Sequence, residues 1–87
     1  ATDKVSIMDI FAVEINEAVK LIEQGIAIPD DIEKGIQYGL NRPFGPISVA
    51  KNINVLDIKS RLIEISNRWD CKMFEPANSI KIGSYPF

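Results

Sequence analysis

Histidine is absent from the 87-residue chain, and its absence removes several kinds of chemistry at once. A Ser-His-Asp triad needs an imidazole as its general base, and most catalytic zinc sites use histidine ligands. No Gly-x-Gly-x-x-Gly stretch and no Walker loop is present to hold a nucleotide phosphate. We therefore expect no catalytic, cofactor-binding or metal-binding residues in this chain, and any catalysis in which it takes part uses groups from another domain.

Cysteine, positive charge and long apolar runs are also scarce. The single Cys71 rules out an intrachain disulfide, which suits a reducing compartment, and without a histidine to activate it we interpret it as unreactive. The formal net charge of −2 gives no positive field for nucleic acid. No segment approaches the roughly 20 apolar residues that cross a membrane, and no signal-peptide pattern is present. We expect a cytoplasmic protein with neither nucleic-acid nor membrane partners.

The chain does contain helical periodicity. Apolar residues recur every three or four positions within residues 4–24, 29–40, 46–53 and 55–69. This pattern predicts an all-α fold, a small bundle of four to five helices in a single domain spanning residues 1–87. Its core is expected over about residues 4–70, followed by an irregular tail over residues 71–87, in which Phe74 and Pro76 form an anchoring turn.

The first segment has the widest apolar arc. Its polar outer face is expected to include Asp9 and Glu14. Because a helix that is apolar over so wide an arc needs more than one neighbour, we expect a partner domain or a second subunit to cover part of it. The expected apolar arc consists of Ile7, Met8, Ile10, Phe11, Val13, Ile15, Val19, Leu21 and Ile22.

Glycine and proline mark the helix boundaries. Gly25 is expected to end the first helix in a left-handed conformation, and Pro29 to begin the second. Asp30 and Asp31 then fall in the first turn, where the helix dipole favours negative charge, so we interpret them as structural rather than as a catalytic pair. The buried face of this second helix is expected to be Ile32, Ile36 and Leu40.

The stretch GLNRPFGPIS, residues 39–48, interrupts the helical pattern. Gly39 is expected to cap the second helix and Pro46 to begin the third, while Pro43 keeps Arg42 out of the helical region. The result is a stiff linker that sets the angle between two helices. Further along, Asn54 is expected to interrupt the helical pattern by taking a left-handed conformation. Trp69 is expected to anchor the core at the end of the fourth helix.

Asn16-Glu17-Ala18, Asp31-Ile32 and Gly45-Pro46 belong to an ordered set of residues. This set resembles the C-terminal helical domain of 3-hydroxyacyl-CoA dehydrogenases. The resemblance covers residues 8 to about 70, with a weaker echo at Phe74 and Pro76. It implies that an N-terminal Rossmann domain binds NAD, while the helical domain closes the acyl-CoA cleft and makes most of the homodimer contact. The parent reaction would oxidise 3-hydroxyacyl-CoA to 3-oxoacyl-CoA in fatty-acid β-oxidation. The set consists of Asn16-Glu17-Ala18, Leu21, Gly25, Ala27, Asp31-Ile32, Gly39, Pro43 and Gly45-Pro46.

Two departures from that family pattern make the chain resemble the second helical domain of tandem family members, a copy that lacks the active-site asparagine and is not catalytic. The family's active-site asparagine lies nine residues before the glutamate that matches Glu17, and this position is Met8, with Asp9 where an arginine often follows. A thioether cannot supply the hydrogen bonds of an amide. The family's basic, glycine-rich closing run is also missing. Either the copy is divergent or the chain stops where another domain begins, and a start at Ala1 suggests a processed or excised piece.

Phe44 and Arg42 are the candidate substrate-binding residues. Phe44 would contact an acyl chain or a partner subunit. The simpler interpretation is that its ring is buried beneath the loop as a plug, that is, as a side chain that only fills space there. Arg42 would meet a CoA phosphate, with a solvated surface arginine as the simpler interpretation. We do not expect the isolated chain to be active. The alternative functions are a stand-alone helical interaction module and an acyl-ligand carrier, and the reading frame upstream of residue 1 would separate the module from the enzyme domain.

Overall fold

The computed structural model describes residues 6–87, which form helices and turns without a strand. The predicted all-α class is therefore confirmed for these residues, while residues 4 and 5 of the predicted first helix lie outside them. None of the helices in residues 6–87 has the length and apolar character needed to cross a membrane. The elements are α1 (Ile7–Glu23), α2 (Pro29–Gly39), α3 (Pro46–Lys51), α4 (Val55–Trp69), a 3₁₀ turn (Lys72–Phe74) and α5 (Asn78–Lys81).

Short-range hydrogen bonds explain where the helices begin. The Ser6 hydroxyl accepts the Asp9 amide at 3.2 Å, and the Asp9 carboxylate accepts the Ser6 amide at 3.0 Å, which completes a capping box for α1. Pro29 and Pro46 stand in the first turns of α2 and α3, as predicted. Asn54 does mark the break before α4, but its φ of −62° is not left-handed. Instead its side chain accepts the Leu56 amide at 2.8 Å as an N-cap.

Residues with a positive φ follow α1, α2 and α4, and the residue that follows α2 in this way differs from the prediction. Gly25 has a φ of 69°, as expected for the residue after α1. Gly39 does not cap α2 but remains its last residue, and Asn41, with a φ of 52°, takes the left-handed conformation. Asp70 does the same after α4, with a φ of 48°. Asn and Asp tolerate this region better than other non-glycine residues, so sequence alone left the choice open.

The core lies where α1, α4 and α5 meet, with α3 closing one side. The apolar stripe of α1 is shifted from the expected one: Met8, Phe11 and Ile22 are only half-buried, and Ala12 is completely buried. Trp69 is 43% exposed and so does not anchor the core. The buried cluster consists of Ala12, Ile15, Val19, Ala50, Ile58, Leu62, Ala77 and Ile80.

The tail after residue 70 is ordered structure rather than an irregular extension. Asn16, which is 1% exposed, donates from Nδ2 to the Glu75 carbonyl at 2.9 Å and accepts the Ala77 amide at 2.7 Å. These two bonds seat Ile80 in the core with no exposed surface. The predicted irregular tail is therefore wrong, because its helices are too short to show a period and are held by contacts distant in sequence. The expected anchoring position at Pro76 is buried, as predicted.

Helix α2 packs beside α3 and has no buried residue. Its expected buried face is only partly covered within this chain: Ile32 and Ile36 are half-buried, and Leu40 is 56% exposed. The predicted burial of this face is therefore wrong for the described residues. An amphipathic helix with an uncovered apolar side gains little from packing in this chain alone.

Candidate functional site

A single carboxylate holds the linker between α2 and α3. The side chain of Glu33 accepts the amides of Gly45 at 3.0 Å, Ile47 at 2.9 Å and Ser48 at 3.1 Å. The Ser48 hydroxyl also donates to it. The first amides of a helix have no partner within the helix, so this carboxylate satisfies the groups that α3 leaves unpaired. Glu33 was not among the residues predicted from the sequence. The one signal that the sequence offered for it was a carboxylate two residues after Asp31.

The environment of Glu33 favours its charged form. Partial burial pushes the pKa of this carboxyl up, but the hydrogen bonds from Ser48 and from the amides of Gly45 and Ile47 outweigh burial and place the pKa below its usual value. Gly45 is required by close approach, because a Cβ atom there would lie 2.8 Å from the Glu33 carbonyl oxygen. The two residues therefore constrain each other.

Arg42 joins the same linker to α1. Its guanidinium makes two hydrogen bonds to the Glu14 carboxylate, at 3.2 and 3.0 Å, and its side chain is 22% exposed. The guanidinium carbon also lies 5.6 Å from the centre of the Phe44 ring. The interpretation of Arg42 as a solvated surface residue is therefore wrong, because a bidentate partner holds it in place.

Phe44 lies at the rim of a groove rather than beneath the loop. Its ring is 38% exposed and meets the Phe11 ring edge to face, with the ring centres 6.2 Å apart. The simpler interpretation of Phe44 as a buried plug is therefore wrong. The groove, which we call the Phe44 groove, has a volume of about 360 Å³. It is lined by Met8, Phe11, Phe44, Ser48, Val49, Asn52 and Ile53.

The Phe44 groove offers mainly apolar surface. Met8, which the sequence resemblance predicted to stand at the place of an active-site asparagine, is part of its wall. Both polar side chains in the wall make a hydrogen bond within the domain: the Ser48 hydroxyl donates to Glu33, and one N–H of the Asn52 amide donates to the Ser48 carbonyl at 3.0 Å. The groove thus suits an apolar group.

A second groove lies along another face of α1, and we call it the Trp69 groove. Its volume is about 540 Å³. Asp9, expected on an outer polar face, is instead 5% exposed and pairs with Arg61 at 3.3 Å, so that expectation is wrong. The lining residues are Asp9, Ile10, Val13, Glu14, Ile65, Trp69, Cys71 and Phe74.

Large apolar side chains are exposed on the outside of α1, α2 and the loop between them. Ile7 is 67% exposed and Ile10 is 49% exposed on α1, while Ile26 and Ile28 before α2 are 64% and 59% exposed. Single exposed apolar residues are ordinary, whereas these four form two pairs, one at the start of α1 and one just after its end, and such groups are typical of surfaces that meet another protein or domain. Within residues 6–87, no group of three or more metal-ligating side chains comes together.

The sequence as a whole decides the family. The profile of the 3-hydroxyacyl-CoA dehydrogenase C-terminal domain matches residues 8–81. The chain belongs to this family. The resemblance carried by the Asn16-Glu17-Ala18 stretch and the PFGP linker is thereby confirmed, and the match includes the α5 segment that the periodicity did not reveal.

One similar protein in this family is the probable 3-hydroxybutyryl-CoA dehydrogenase of Bacillus subtilis. The two sequences are 35% identical over 51 residues, which make up 59% of this chain and 17% of that protein. The chain therefore spans only a small part of the length of the relative that it matches.

Solved structures share the fold. FadB2 of M. tuberculosis superposes with a TM-score of 0.76 at 18% identity, over 84% of this chain and 26% of that one. The 3-hydroxybutyryl-CoA dehydrogenase of Escherichia coli K12 gives 0.74 at 24% identity, over 83% and 15% of the two chains. The (S)-3-hydroxybutyryl-CoA dehydrogenase PaaH1 of Ralstonia eutropha gives 0.74 at 26% identity, over 84% and 26%. The five-helix arrangement is thus that of the helical domain in this family.

Proposed function

We propose that this chain is the helical dimerisation and substrate-cleft domain of an NAD-dependent 3-hydroxyacyl-CoA dehydrogenase, and that it is not catalytic by itself. The parent reaction would be the oxidation of a 3-hydroxyacyl-CoA to a 3-oxoacyl-CoA in cytoplasmic fatty-acid β-oxidation. The observation that carries the proposal is the uncovered apolar surface of a domain whose family is established. Such a surface is expected of a domain that works against a neighbour.

The contents of the grooves support a role in shaping the substrate cleft rather than in catalysis. The wall of the Phe44 groove has a thioether at Met8 and two polar side chains with partners inside the domain. None of these side chains is a general base for a reacting hydroxyl. A Rossmann-type domain of the parent enzyme would provide NAD binding and the base, and this domain would provide apolar shape.

Phe44 and Arg42 have different places in the proposed substrate site. Phe44 has an exposed ring on the rim of an apolar groove, which suits contact with an acyl chain. Arg42 would reach a CoA phosphate only by giving up its bidentate contact with Glu14. We therefore infer that Arg42 acts on substrate chiefly through the position of the Phe44 ring, over which it lies.

The dimer part of the proposal is tested by sedimentation velocity of the chain at tens of micromolar. We expect a dimer, and we expect Ile28→Glu to shift it toward monomer because the substitution puts a charge on the exposed apolar surface. Gln24→Glu, which adds the same charge at a nearby exposed polar position, is the control and should leave the dimer intact. A monomeric wild-type chain at this concentration would refute dimerisation by this domain.

The claim that the chain is not catalytic by itself has a direct assay. The purified chain is mixed with NAD and 3-hydroxybutyryl-CoA, and NADH formation is followed by absorbance. We expect no turnover above a protein-free blank. Measurable turnover that scales with the concentration of the chain would contradict the proposal.

The acyl-ligand carrier remains the second candidate, because both grooves are lined mainly by apolar side chains. Trp69 lines one of them and is a natural fluorescent reporter for it. Titration with decanoyl-CoA would favour the carrier if a saturable change in Trp69 fluorescence appeared together with a monomeric chain.

A further inference from the structure

Support for the α2–α3 linker differs between its two ends, because Gly45, Pro46 and Ile47 at the α3 end are buried, whereas α2 has no buried residue. Apolar packing beneath α2 therefore does little to fix the segment that follows. Polar contacts take over this role. The residues before and after Phe44 are both bound to α2: Gln37 donates from its amide to the Pro43 carbonyl at 2.9 Å, and Glu33 accepts the Gly45 amide at 3.0 Å.

The contact at Gly45 is much the stronger of the two. The Gln37 bond joins two neutral groups on an exposed surface, whereas Glu33 is a charged acceptor with three amide donors and one hydroxyl donor. The same carboxylate grips the backbone on both sides of Pro46. It therefore fixes the start of α3 and the end of the linker as one rigid unit, directly beside Phe44.

The position of the Phe44 ring follows from that unit. The ring is only partly covered, since it is 38% exposed and meets the Phe11 ring edge to face with the ring centres 6.2 Å apart. Arg42 steadies it from the other side, but through a long side chain attached two residues away. Without a fixed backbone at Gly45, the ring would be free to leave the rim of the groove.

We propose that Glu33 is a positioning residue that holds Phe44 at the rim of the Phe44 groove, so that the groove is already formed before an apolar ligand arrives. Preorganisation of this kind reduces the entropy lost on binding. The nature of the ligand, an acyl chain, rests on the function proposed above. The positioning of the Phe44 ring by Glu33 does not depend on that function.

The test compares Glu33→Gln with wild type by nuclear magnetic resonance of the whole chain. Glutamine has nearly the same size but one acceptor oxygen instead of two. That oxygen should stay with the Ile47 and Ser48 amides, which share one carboxylate oxygen, and leave an NH₂ group facing the Gly45 amide. We expect hydrogen exchange at Gly45 to become at least tenfold faster and the nuclear Overhauser contacts between the Phe11 and Phe44 rings to disappear. Glu17→Gln, at an exposed position, is the matched control.

A purely structural role for Glu33 would give a different result. The variant would then unfold more easily but keep the Phe11–Phe44 ring contacts in its folded state, and this outcome would overturn the proposal. Should Glu33→Gln fail to fold, Ser48→Ala removes only one of the four donors and should weaken the same ring contacts partially. Unchanged contacts in Ser48→Ala together with unchanged Gly45 exchange would also count against the proposal.

Ligand binding separates the two claims. Decanoyl-CoA is titrated into wild type and into Glu33→Gln while the Phe44 and Met8 signals are followed. We expect wild type to bind it and the variant to bind it at least threefold more weakly. Absence of binding to wild type would contradict the substrate role in the proposed function, and the ring contacts would still decide the positioning role of Glu33. Equal affinity in both proteins would contradict the claim that the groove is preorganised.

Discussion

Replacing Asn16 by alanine tests how the tail is attached to the domain. The side chain of Asn16 is buried and makes two hydrogen bonds to backbone groups about sixty residues later, at Glu75 and Ala77. Alanine would leave the buried Ala77 amide without a partner, which costs about 1–3 kcal/mol, and would lose the bond to the Glu75 carbonyl, worth about 0.5–1.5 kcal/mol. The carbonyl is partly compensated by water because Glu75 is exposed. The expected loss is about 2–4 kcal/mol of the free energy of unfolding.

Urea denaturation followed by circular dichroism at 222 nm measures this loss. Native domains are stable by only about 5–15 kcal/mol, and a chain this short lies toward the lower end, so the shift in midpoint should be large. Asn67→Ala, at an exposed position on α4, is the control and should change stability by less than about 0.5 kcal/mol. If Asn16→Ala also fell within about 0.5 kcal/mol of wild type, the tail could not be held by these two bonds, and the reasoning would be refuted.

Two further predictions concern glycine and tyrosine. Gly35→Ala should stabilise the chain by about 0.5–1 kcal/mol, because this position is an open helix interior. Gly45→Ala should destabilise the chain by about 1–3 kcal/mol, because the new Cβ atom would meet Glu33. Thermal unfolding of both variants measures these changes, and changes of the same sign would contradict the geometry. Burial, with a smaller effect of the Asp57 charge, raises the pKa of Tyr85 from 10.0 to about 12. The folded state then holds the phenolic proton more tightly than the unfolded chain, so this contribution to stability is complete below about pH 10 and is lost as the pH rises toward 12. Urea midpoints between pH 9 and pH 12 should therefore fall less steeply in Tyr85→Phe than in wild type, and parallel curves would contradict the assignment.

Helix positions could be predicted from the sequence because they depend on neighbours close in the chain. Pro29 and Pro46 mark helix starts through their own backbone geometry, and Gly25 marks an end for the same reason. The bounds of α4 follow from its apolar period. At Asn54 the position was correct but the mechanism was not, since both a side-chain cap and a left-handed turn suit asparagine.

The candidate site was predicted only in outline. Phe44 and Arg42 were identified as candidates from their place in the linker, and the structure places the Arg42 guanidinium over the Phe44 ring, which itself lines a groove. Their environments could not be predicted, because Arg42 is paired with Glu14, a residue 28 positions away. Glu33 gave only a weak signal, a carboxylate two residues after Asp31, and its role depends on the amides of Gly45 and Ile47, which the folded chain brings to it.

The family, the all-α class and the lack of a histidine-based site were determined by the amino-acid sequence itself, because composition, period and ordered motifs need no knowledge of which segments meet. The burial of Asp9 and Asn16, the order in the tail and the exposed side of α2 were decided only by the tertiary structure. The physical reason is distance along the chain. A capping residue meets its partner within one helical turn, whereas Asn16 and Ala77, 61 residues apart, become partners only after the whole domain has closed.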